Sequence, residues 1–147
     1  MKQFSFSLQR LLNYKEQLFE SERNILAEMQ AILSQLESEL DKMKAEHLRR
    51  VAEYNEQIRI GLLPAEMQTH KYYLTVLDES IRNKIEQIKL QQQAVDRQMD
   101  IVREAKLEIS TMEKLRERKL EEYNYISGKA DEQFIDEFVT NQRATAV

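Results

Sequence analysis

Two histidines, His47 and His70, and 26 acidic residues are the side chains of this 147-residue chain that could hold a metal ion or move a proton. Neither histidine has an acidic neighbour at metal-ligand spacing. His47 falls among apolar residues at coiled-coil intervals and is expected as an interfacial core histidine. His70 sits by the central interruption and is expected in solvent. The carboxylates, including Glu37–Glu39 and Glu121–Glu122, lie in helix-forming sequence without a cleft to perturb their protonation. Two glycines cannot build a phosphate-cradling loop or a nucleophile elbow, and with no cysteine there is no thiol chemistry. No catalytic, cofactor-binding or metal-binding residue is predicted, and the chain is not expected to be an enzyme.

The elements that would position any site follow from composition. A layered fold of this length needs many tight turns, and Gly 2 with Pro 1 cannot supply them. Charged residues at 33% and hydrophobic ones at 41%, mostly good helix formers, point to long helices with a narrow apolar stripe. The net charge of −4 disfavours nucleic acid as a partner, so Arg49–Arg50 and Arg116–Arg118 are taken as solvated helix faces. No apolar run is long enough for a signal peptide or a membrane span, so a cytoplasmic protein without membrane insertion is expected.

From Leu8, steps of three and four meet Leu11, Lys15, Leu18, Glu22, Ile25, Met29 and Ile32, a heptad seam. From Ile32 to Ile58 successive fours recur, giving an eleven-residue rhythm. A second seam runs from Leu74 through Leu77, Ile81, Ile85, Ile88, Gln92, Val95, Met99, Val102 and Lys106 to Ile109, with the eleven-type step nearest the interruption. Mirrored rhythms are what two paired antiparallel helices require. The interruption itself, "IRIGLLPAEM", carries Gly61 and Pro64, which suit a helix C-cap and a helix start or extended link. Thr69 is a candidate N-cap for the second helix, with "PAEMQ" a candidate short helical piece inside the turn.

The expected fold is all-α, a long antiparallel two-helix coiled-coil hairpin. Arm 1 covers about residues 4–60, the turn about 61–69, arm 2 about 70–127, and a helical overhang about 128–142. With the turn centred near residue 66, Leu8 lies near Asn124. Each arm would measure roughly 85 Å at about 1.5 Å per residue. On that pairing "DEQFIDEFVTNQ" lies beyond the first arm, with Phe134, Ile135, Phe138 and Val139 on one helical face. Leaving them uncovered forgoes about 1.5–3 kcal/mol each. Either the tail folds back past Gly128 onto Phe4 and Phe6, or a partner covers it; the partner is the favoured reading. Tyr72 and Tyr73, after the turn, likewise add more apolar surface than one seam needs.

The N-terminal "FSFSLQRLLNYKEQ" and the C-terminal "MEKLRERKLEEYNYISGKADEQFIDEFV" resemble the flagellar export protein FliJ family, and the likeness extends over nearly the whole chain. That resemblance implies a cofactor-free coiled-coil component of flagellar type III protein export, and not an enzyme. It further implies a central stalk and activator of the export ATPase ring, FliI, built like the γ subunit of rotary ATP synthases. Adaptor contacts to the cytoplasmic domain of the export gate protein FlhA and to export chaperones are also implied. ATPase-facing residues would be Phe4, Phe6, Leu8, Leu12, Tyr123, Phe134, Ile135 and Phe138, and gate-facing residues Tyr73, Leu77, Ser80 and Lys84. The implied location is cytoplasmic, at the inner face of the cell membrane beneath the flagellum, with a monomer when free.

Alternatives are the equivalent stalk of a virulence type III secretion system and a generic coiled-coil adaptor or chaperone. A prefoldin-like chaperone would need strand-forming segments between its helices, and "GLLPAEMQTH" has no alternating β-branched run.

Overall fold

The turn between the helices is three residues long, and it sets the pairing of everything that follows. In the computed structural model, which describes residues 2–145, helix α1 spans Gln9–Ile60 and helix α2 spans Pro64–Thr145. Gly61 adopts φ 122°, a conformation that side-chain-bearing residues rarely take, and its N–H donates to the Gln57 carbonyl at 2.9 Å. Pro64 opens α2, where its fixed φ suits the first helical position and its missing N–H costs nothing. The Met67 N–H then closes the first turn onto the Leu63 carbonyl at 3.1 Å.

Helix α2 therefore starts earlier than Thr69. Thr69 is not an N-cap: it lies inside the helix and its hydroxyl donates back to the Ala65 carbonyl at 3.1 Å. The "PAEMQ" piece is simply the first turn of α2. Because the turn centres near residue 62, paired positions shift toward it. Expected pairing would place Lys15 near Glu117, whereas its Nζ meets Glu108 Oε2 at 2.7 Å.

The architecture is all-α, two long helices packed antiparallel with no strand among the described residues. The chain packs as two units, Glu22–Val102 and Met1–Ser21 with Arg103–Val147. In the unit that holds the turn, the less exposed positions of α1 alternate by three and four through Leu26, Met29, Leu33, Leu36, Leu40 and Met43. The seam thus runs one residue beyond the expected Ile25 and Ile32, which are exposed, the latter 52%. Choosing Leu33 over Ile32 also removes the eleven-residue rhythm, and heptads persist toward the turn.

The facing stripe of α2 is displaced the other way. Lys84, Gln91 and Gln98 occupy the seam at seven-residue spacing, while Ile85 and Met99 are exposed. Their polar ends are satisfied across the interface. Lys84 Nζ reaches Glu39 Oε2 at 2.7 Å, Gln91 Nε2 donates to the Met29 carbonyl at 3.0 Å, and Gln98 donates to Glu22. Val95, 3% exposed, packs between the last two layers. His47 lies half-buried in the seam with Nε2 4.0 Å from Asp78 Oδ1. His70 is half-buried as well, not solvated, with its ring centroid 5.4 Å from that of Tyr54.

Candidate partner-binding site

In the unit that carries both ends of the chain, residues ahead of α1 lie along α2 as a strap. Phe6 is buried in a cluster with Leu12 and Ile109, and Phe4, Phe19, Met112 and Leu115 pack around it. The Gln9 N–H turns back onto the Phe6 carbonyl at 3.0 Å, which brings the strap into α1. Toward its start the strap is pinned at Tyr123, whose hydroxyl donates to the Lys2 carbonyl and whose ring centroid lies 5.6 Å from that of Phe4. The Arg116 guanidinium lies 5.6 Å from the Phe4 ring centroid and donates from Nε to Gln9 Oε1 at 3.3 Å. A shallow groove of about 390 Å³ remains between the strap and α2, lined by Phe4, Phe6, Lys119, Glu122, Tyr123 and Ile126.

Among the described residues, nothing from the first arm covers α2 past this point. The helix continues unbroken through Gly128 to Thr145, and every described residue from 128 on is exposed. Phe134 is 70% exposed and Phe138 54%, with Ile135 and Val139 beside them. The tail does not fold back onto Phe4 and Phe6.

The expected ATPase-facing residues therefore divide into three groups. Phe6 and Leu12 belong to the core: Leu12 is 3% exposed, and Phe6, 8% exposed, keeps a small surface in the groove. Phe4 and Tyr123 are partly covered by each other, and Leu8 stands at the edge of the core, 38% exposed. Phe134, Ile135 and Phe138 form a separate, fully uncovered stripe. Ile126, 57% exposed where the strap ends, lines the groove as well and was not singled out from the sequence.

The gate-facing candidates lie in the other unit. Tyr73 is the most open of them; its hydroxyl donates to Glu46 Oε1 at 3.3 Å, and the Arg50 guanidinium lies 4.5 Å above its ring. Leu77 and Ser80 are half-buried, and Lys84 is held by Glu39. Tyr72 and Val76, exposed on the adjoining surface, extend the apolar area around Tyr73. Glu46 is the centre of a charged cluster: Arg49 first, then Arg50, bond its carboxylate and hold it far below the ordinary carboxylate range, at about 2.

Among the described residues no group of three or more His, Cys, Asp or Glu is placed to hold a metal ion, and no helix is long and apolar enough to cross a membrane. Compared with known proteins, residues 4–146 match the family model described as Flagellar FliJ protein. No curated protein and no solved structure matches the chain.

Proposed function

Since the chain belongs to the flagellar FliJ family and is a component of flagellar protein export, we propose that it serves as the central stalk and activator of the export ATPase ring, FliI. The observation that carries this reading is the tail of α2: Phe134, Ile135, Phe138 and Val139 stand on one face of a helix that no other described part of the chain covers. Exposed aromatic and aliphatic groups at that density are the usual anchors of a protein interface. A stalk contributes no bond-making chemistry. It biases the ring by binding one arrangement of its subunits better than another, so its effect equals that difference in affinity. Hydrolysis would belong wholly to the ring.

The exposed Tyr72, Tyr73 and Val76 near the turn support a second contact, with the cytoplasmic domain of the gate protein FlhA. The adaptor would then sit at the inner face of the membrane without entering it, where export chaperones would also meet it. The flagellar family match favours this system over a virulence one.

The test is ATP hydrolysis by the purified cognate ATPase, titrated with the full chain and with a version ending at Ser127. Stimulation by the full chain that disappears with the truncation supports the reading. Equal stimulation by both moves the contact off the tail, and none by either removes the stalk role.

A further inference from the structure

The tail's apolar stripe has an edge of one charge. At 100° per residue, Phe134, Phe138, Ile135 and Val139 occupy about 140° of the helix circumference. Glu132 and Asp136 follow Val139 along one edge, Glu137 lies along the other, and Asp131 stands one turn before Phe134 and Ile135. Lys129 and Arg143 bound the run, the latter on the acidic edge, and no Lys or Arg occurs from 130 to 142 between them. All four carboxylates are exposed. Elsewhere the same helix mixes its signs, as in "EKLRERKLEE" at 113–122.

We infer that the tail docks into an apolar groove rimmed by lysine or arginine, and that its acidic edge rejects both a second copy of this chain and an anionic membrane surface. This deepens the ring-binding reading and rests on it only for the identity of the partner. Two tails stacked face to face would set four carboxylates against four others, and like charges at an interface disfavour wrong partners. A headgroup layer of anionic lipid repels the same edge. A basic rim instead gains attraction on every side of the stripe, and it speeds encounter as well as selecting the partner.

Two synthetic amphipathic helical peptides test this with the full chain. They share one leucine face and differ in carrying lysine or glutamate along its edges. The lysine-edged peptide is expected to bind about tenfold tighter or more, with an advantage that shrinks between about 50 and 300 mM salt as screening sets in. The D131N/E132Q/D136N/E137Q variant should abolish the difference, and F134S/F138S should abolish binding of both. Equal affinity for the two peptides overturns the inference. So does binding of the lysine-edged peptide that survives F134S/F138S, since it would reflect the chain's overall charge. If discrimination by the tail holds while the cognate ATPase fails to bind, the ring reading falls and the basic-rimmed groove stands.

Discussion

Gln98, 7% exposed, donates its side-chain amide across the seam to the backbone carbonyl of Glu22 at 3.0 Å and to the carboxylate of the same residue. A satisfied polar group in a coiled-coil seam fixes register at some expense of stability, because a slipped pairing strands it without partners. Gln98→Leu should raise stability by roughly 1 kcal/mol while broadening the distances between spin labels at Glu28 and Arg97. Narrow, unchanged distances in the variant would show that the apolar layers alone hold register.

The two glycines should respond in opposite directions to alanine. Neither has a heavy atom within 4 Å of the position a Cβ would take, so space does not separate them. Backbone does: Gly128 is helical, and Gly128→Ala should stabilise the tail helix by about 0.5–1 kcal/mol. Gly61 has positive φ, and Gly61→Ala should cost about 1–3 kcal/mol. Amide exchange and chemical denaturation read the two effects; destabilisation by Gly128→Ala would mean that the tail bends there.

Glu46 makes stability depend on acid. Its folded-state value, about 2, lies below the unfolded one, so the stabilisation is complete above the ordinary carboxylate range and is lost as pH falls through that range toward 2. Following the Glu46 carboxyl carbon by NMR should give a midpoint near 2, and Glu46→Gln should flatten the acid limb of the stability curve. A midpoint within the usual carboxylate range would show that Arg49 and Arg50 are too mobile to hold it.

Burial predicts different outcomes for residues grouped together by sequence. Leu12→Ala should destabilise by about 2–4 kcal/mol, since Leu12 is enclosed with Phe6 and Ile109. Phe134→Ser with Phe138→Ser should change global stability by no more than about 0.5 kcal/mol each while weakening partner binding. Circular dichroism melts of the full chain decide it, and a collapse of helicity in the tail variant would mean that the stripe is packed after all.

The hairpin was legible because Gly61 and Pro64 are the only breakers near the middle, and the uncovered tail followed from it. Register was not, because the placement of the turn leaned on Thr69. A hydroxyl that bonds its own helix is indistinguishable in sequence from one that caps it. The seam was misplaced by one residue where apolar residues adjoin, at Ile25–Leu26 and Ile32–Leu33, since either member lies three or four residues from Met29. In α2 the preference for apolar residues selected Ile85 and Met99 over Lys84 and Gln98. Long polar side chains can lie in a seam when a carbonyl or carboxylate opposite receives their ends. Phe6 and Leu12 were grouped with the tail as partner contacts, and only the strap's path along α2 shows them to be core.

The three-residue turn also orders assembly in time. Cross-helix contacts lengthen steadily in sequence away from it: Glu46 to Tyr73 spans 27 residues, Glu39 to Lys84 45, Glu22 to Gln98 76, and Lys2 to Tyr123 121. Each contact made shortens the loop that the next must close, so pairing should zip outward from Gly61 and reach the strap last. During synthesis the whole first arm emerges before its partner exists. The zipper therefore finishes at the end from which the bare tail projects, and a ring that grasped that tail would be grasping the sign of a completed hairpin.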